Sequence, residues 1–96
     1  MSSSDLSIHH DPVRQRFETT IDGITAYLSY VQMTADVWNY NHTIVPPAFG
    51  GRGLGTLLVR HALDYAEAND KKVIPSCSFV AKYIERRPEY QSLVAD

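Results

Sequence analysis

His42-Thr43-Ile44-Val45-Pro46-Pro47-Ala48-Phe49-Gly50-Gly51-Arg52-Gly53-Leu54-Gly55-Thr56 decides how the rest of the chain is read. It starts as an apolar, β-branched run and breaks at two consecutive prolines. It then crosses a loop that holds four of the five glycines in the chain. Beyond the loop, Leu54, Leu57, Leu58, Ala62 and Tyr65 recur at the spacing of a helix with one apolar face. Strand, glycine-rich turn and helix start, in that order, make an anion site. The free N–H groups of the first helical turn and the positive end of the helix dipole converge on one point. Glycine serves there because it reaches positive φ cheaply and lets a ligand touch the backbone.

Spacing excludes two phosphate loops. A P-loop places a lysine after its second glycine, but Thr56 follows Gly55 directly and no lysine intervenes. A dinucleotide loop reads Gly-x-Gly-x-x-Gly after the first strand of a βαβ unit. Starting from Gly51, its third glycine position is Thr56, and strand-like sequence precedes the loop from Arg14 onward.

Composition narrows the function further. Ninety-six residues with 44% apolar and 21% charged side chains suit one small globular domain. A net charge of −2 gives no general attraction for nucleic acid or an anionic membrane. One cysteine cannot form an intramolecular disulfide, and no Cys/His cluster has zinc-ligand spacing. No apolar run has the length of a membrane span, and the first residues lack a signal-peptide pattern, so a cytoplasmic setting is expected.

In chain order, 1–12 is polar and serine-rich and reads as a disordered lead-in to a single domain over 13–96. His9 and His10 within it are read as tail residues rather than metal ligands. Arg14 to Ile21 is a first strand, Asp22-Gly23 a two-residue hairpin turn, and Ile24 to Gln32 a second strand. A third strand, Val37 to Val45, places Trp38, Tyr40, His42 and Ile44 on one face and Val37, Asn39, Asn41, Thr43 and Val45 on the other. A helix from about Gly53 to Asn69 crosses to a fourth strand, Lys72 to Cys77, parallel to the third. A second helix runs from about Phe79 to Arg87 and stops at Pro88. The expected fold is α/β: a mixed four-stranded sheet, antiparallel over its first three strands, with two main helices.

Pro46 ends the third strand and Pro75 interrupts the fourth. Proline cannot donate to a ladder, so the two parallel strands are expected to part there. Unpaired backbone then lines a slot that an extended, amide-bearing chain can enter as a surrogate strand.

The loop resembles motif A of the GCN5-related N-acetyltransferases, Arg/Gln-x-x-Gly-x-Gly/Ala, with Gly53-Leu54-Gly55 matching its second half and Gly50 replacing the Arg/Gln. Together with Val73-Ile-Pro-Ser-Cys-Ser-Phe-Val and Tyr83-Ile-Glu-Arg-Arg-Pro-Glu-Tyr, the chain resembles the minimal, single-domain branch of that superfamily from Phe17 to Val94. The resemblance implies acetyl-coenzyme A as cofactor and an amine, such as a protein lysine, as acceptor. The cofactor would lie along Ile44, Val45 and Pro46, with its diphosphate on Gly50, Gly51, Arg52, Gly53, Leu54, Gly55 and Thr56. Cys77 would sit at the slot and Lys82 near the 3′-phosphate.

Family members commonly use a third-strand glutamate as base, and no carboxylate lies between Val37 and Ala48. His42 is the imidazole in that strand, either a base or a structural histidine. Tyr83 is either an acid toward the leaving thiolate or a core aromatic. Cys77 is catalytic, positional or a space-filler. The rival to an acetyltransferase is a non-catalytic module that binds coenzyme A or an acyl form of it. The pair of helices that full-length relatives insert between their first two strands is absent, and Asp22-Gly23 is read as standing in their place. Acceptors would therefore meet an open face.

Overall fold

The computed structural model describes residues 7–49 and 53–95. Five strands lie in one sheet in chain order: β1 (His9–Asp11), β2 (Arg16–Ile21), β3 (Ile24–Gln32), β4 (Val37–Ile44) and β5 (Lys72–Ile74). The first four pair antiparallel, and β5 runs parallel to β4. Helix α1 (Leu54–Ala68) crosses from β4 to β5 and α2 (Ser78–Arg86) follows β5. Short 3-10 segments occupy Pro47–Phe49 and Pro88–Leu93. The antiparallel start, the helical crossover and the parallel last strand are those expected, with one strand more at the front.

That extra strand, β1, comes from within the stretch read as a lead-in. His10 holds it: its ring stacks on Phe17 at 4.6 Å between centroids, and its Nε2 lies 2.6 Å from the Tyr30 hydroxyl. The Asp11 carboxylate accepts the N–H groups of Val13 and Arg14 and closes the turn into β2. Residues 1–6 lie outside the described residues. The connection between the first two strands is therefore 12–15, and Asp22-Gly23 joins β2 to β3 instead. Both turn residues have positive φ, 53° and 78°, as a type I′ hairpin requires.

The core forms on one face of the sheet. Phe17, Leu28, Tyr30 and Tyr40 point there and meet Leu58, Val59, Ala62 and Leu63 of α1, all of them buried. Tyr40 is fully enclosed and donates its hydroxyl to the Ala62 carbonyl at 2.7 Å, which pins α1 to the middle of the sheet. Burial pushes its ionisation far above the ordinary tyrosine range, so it remains a neutral donor.

The expected faces of β4 need a correction. Tyr30 pairs with Tyr40 but Ser29 pairs with His42, so Asn41 is an extra residue, a bulge. Up to Tyr40 the even-numbered residues face the core. Past the bulge the parity flips: Thr43 pairs with buried Leu28, whereas His42 pairs with Ser29 and Ile44 with Tyr27 on the opposite face. His42 and Ile44 thus part company with Trp38 and Tyr40, and Ile44 is 44% exposed. A strict period of two cannot anticipate an inserted residue.

Candidate functional site

The parallel strands part at Pro75, as expected, but on the other strand the parting comes at Asn39, well before Pro46. Their ladder runs Val37–Lys72, Trp38–Val73 and Asn39–Ile74, then ends. Pro75 takes the second segment out of the sheet, so β5 stops at Ile74 rather than Cys77, while β4 continues to Ile44. The two segments touch again at Cys77, whose N–H donates to the Tyr40 carbonyl at 3.0 Å. From residue 41 to residue 45, then, the β5-facing edge of this strand meets helix starts rather than another strand.

Two helix N-termini converge on this opening. Gly53, the N-cap of α1, has φ 69° and ψ 22°, a left-handed conformation that glycine adopts at little cost. The helix makes its first bond from Leu57 N–H to the Gly53 carbonyl at 3.2 Å. Among the described residues no side chain caps it, and its first turn, with the N–H groups of Leu54, Gly55 and Thr56, carries no acidic residue. The second helix starts at Cys77, its N-cap. The Cys77 Sγ lies 3.5 Å from Thr43 Oγ1. Partial burial works against ionisation of this thiol. Hydrogen bonds from the Thr43 hydroxyl and from the N–H groups of Val80, Phe79 and Thr43 outweigh it, so the thiol is held below its ordinary range.

The helices touch at Gly55 and Phe79. A Cβ on Gly55 would lie 2.9 Å from Phe79 Cζ and 3.6 Å from Val45 Cγ2, so the glycine is small to seat a neighbouring ring. Phe79 nevertheless stays 42% exposed. Beside this contact a groove of about 170 Å³ is lined by Thr56, Phe79, Lys82, Tyr83 and Arg86. Two of those side chains are cationic and stand one turn apart on α2, and the lining holds no carboxylate.

The residues singled out from sequence fall into three places. Val45, Gly53, Gly55, Thr56, Cys77, Tyr83 and Lys82 surround the opening and its groove, and the Pro46 carbonyl accepts the Phe49 N–H in the turn beyond β4. Leu54 contributes only backbone there, because its side chain is 3% exposed and belongs to the core. His42 and Ile44 lie on the open sheet face, across the strand from Thr43. Gly50, Gly51 and Arg52 lie outside the described residues. Tyr83 is 8% exposed and tilts against Tyr90 at 5.9 Å, so it is both a core aromatic and a wall of the groove. Of the other cations, Lys71 and Lys72 bond the Ala35 and Ser92 carbonyls, away from the groove. Thr43 and Phe79 were missed as site residues. The bulge hid the first from a period-of-two reading. The second could have been found as an apolar residue opening a helix opposite a glycine. Among the described residues, no three His, Cys, Asp or Glu side chains come together as a metal site.

A mixed sheet whose parallel strands part over two helix starts, with a basic groove beside them, defines an α/β domain with an open slot at the end of its parallel ladder. The chain belongs to the GCN5-related N-acetyltransferase family, whose pattern it matches over residues 16–93. It is 32% identical over 93 residues to Protein NATD1 of Xenopus tropicalis, covering 95% of this chain and 85% of that protein. Protein NATD1 of Homo sapiens is 31% identical over 90 residues, with 92% and 80% covered. The fold superimposes on an NMR solution structure of a GCN5-like protein from Staphylococcus aureus with a TM-score of 0.74. That match has 29% identity and covers 96% of this chain and 90% of the other.

Proposed function

We propose that this domain binds acetyl-coenzyme A and passes the acetyl group directly to an amine presented at the open sheet face, such as an exposed protein lysine. The observation that carries this reading is the parting of β4 and β5 over the start of α1, where the first-turn N–H groups of Leu54, Gly55 and Thr56 meet no side-chain cap among the described residues. They suit the diphosphate. Lys82 and Arg86 suit the 3′-phosphate from the groove. The strand edge from residue 41 to residue 45 suits the amide-bearing arm. When bound, the coenzyme supplies an activated acetyl thioester. The chain supplies orientation, donors at Thr43 and the start of α2, and a group to take the amine proton.

His42 is that group in this reading. It stands on the open face, where an acceptor would approach, and its neighbour Thr43 turns the other way into the slot. The cytoplasm is the proposed setting, consistent with a single free thiol. No helix among the described residues is long and apolar enough to cross a membrane.

A second reading, a non-catalytic module for coenzyme A, is favoured by one observation. Glu18, a carboxylate on the same sheet face, is already engaged by Arg16, which also lies over the Tyr27 ring. Turnover separates the two. Lysine peptides and small amines are incubated with acetyl-coenzyme A and the full chain, and product is followed by mass spectrometry. The expected result is acetylated peptide, with turnover falling at least tenfold in His42→Gln at unchanged coenzyme affinity. Binding without product on any amine favours the module.

A further inference from the structure

Tyr40 meets Cys77 through its backbone carbonyl and Thr43 through its side chain, which a regular strand would turn to the face opposite the Tyr40 ring. Residues three apart project to opposite faces of a regular strand. Here the Tyr40 carbonyl accepts the Cys77 N–H at 3.0 Å, while the Thr43 hydroxyl lies 3.5 Å from the Cys77 sulfur. The second contact exists because Asn41 is inserted between the pairs Tyr30–Tyr40 and Ser29–His42, which turns Thr43 to the Tyr40 side. A bulged residue has no partner in the ladder, so something else must fix it. Ser29 does: its hydroxyl donates to Asn41 Oδ1 at 2.7 Å in a half-buried setting.

We propose that Ser29 and Asn41 are positioning residues, whose hydrogen bond holds the β4 bulge and thereby turns Thr43 toward Cys77 at the mouth of the slot. Neither touches the sulfur. They act through Thr43, whose hydroxyl lies 3.5 Å from that atom. The remaining donors come from the first turn of α2 and do not depend on the bulge. Among the described residues, the groups acting on the thiol are these donors and its partial burial, and none is a charged side chain. Without the clamp the bulge can shift along the strand. One step of register exchanges the faces of the residues beyond it, which removes Thr43 from the slot.

The inference concerns the slot on which the proposed function rests, but its test uses no coenzyme, so the two can fail separately. Cys77 is the only cysteine in the chain, and alkylation by iodoacetamide therefore reports on one thiol. Rate against pH gives a midpoint, which reads ionisation, and a plateau, which reads access. The expected midpoint for the native chain lies below that of the same chain in denaturant. Thr43→Val should raise it, and Ser29→Ala and Asn41→Ala should raise it as far. Each unit of rise cuts the thiolate fraction at pH 7 about tenfold. Ser29→Thr, which keeps the hydroxyl, should restore the native midpoint. Should Asn41→Ala fail to fold, Ser29→Ala alone decides. Folded variants at Ser29 or Asn41 with native midpoints, beside a raised one in Thr43→Val, would overturn the positioning role. A native midpoint in Thr43→Val would overturn the premise that Thr43 acts on the sulfur.

Discussion

The sulfur of Cys77 collects hydrogen-bond donors, and no committed base is among the groups acting on it. That combination suits a thiol that lines the slot and polarises what enters it. A covalent relay also needs the sulfur to gain and release the acetyl group, and the two thioesters of such a relay differ little in energy. This favours the direct transfer proposed above. Cys77→Ser is expected to keep its affinity for acetyl-coenzyme A and to retain activity, reduced about tenfold through misplacement. Intact-mass measurement after incubation with the coenzyme alone should show no stoichiometric acetyl adduct. A full-occupancy adduct that an added amine discharges would establish the relay instead. Much of this residue-scale picture was legible beforehand: the cysteine stood out by its place after Pro75 and before a helix. What partners it was not, because Thr43 reaches the slot only by virtue of an inserted residue whose effect on parity leaves no trace in composition. His42 was misplaced for the same reason, assigned to the face of Tyr40 when it stands on the other.

Among the elements, the two prolines and the glycines were the most informative. Pro75 located the parting of β4 and β5 to within a residue, since a missing N–H ends a ladder, whereas Pro46 marks only the end of β4, which left the ladder at Asn39. Gly53 was required by a positive φ at the N-cap of α1, and Gly55 by the Phe79 ring. The short strand β1 was missed because three residues bear no periodicity, and its docking rests on a tertiary contact between His10 and Tyr30. Helix α2 carries the element-scale prediction. Its Lys82 and Arg86 line the groove together, and a charge-assisted hydrogen bond contributes about 1.5–3 kcal/mol. Wild type should therefore bind coenzyme A at least about tenfold more tightly than 3′-dephospho-coenzyme A. Lys82→Ala combined with Arg86→Ala should close that gap while leaving affinity for the dephospho form unchanged. A gap that survives the double substitution places the 3′-phosphate elsewhere.

At the scale of the whole molecule, one helical layer covers one face of the sheet and, among the described residues, no helix covers the other. That face carries exposed Val31 and Ile44, the Arg16–Glu18 pair over Tyr27, and His42. A short turn, 12–15, links the first two strands. The core side was legible because its buried residues repeat at regular spacing. The open side was not, because alternating polar residues look alike whether they meet solvent or substrate. All of it depends on one ligand occupying one place. The most direct test is calorimetric titration of the full chain with acetyl-coenzyme A, and with ATP and NAD as comparators. One molecule of acetyl-coenzyme A should bind per chain, and at 100 times its Kd it should stabilise the fold by about 2.7 kcal/mol. ATP and NAD should bind at least about tenfold more weakly, the difference expected when one charge-assisted contact is lost. No heat with acetyl-coenzyme A, or equal affinity for ATP, would contradict the assignment of the slot.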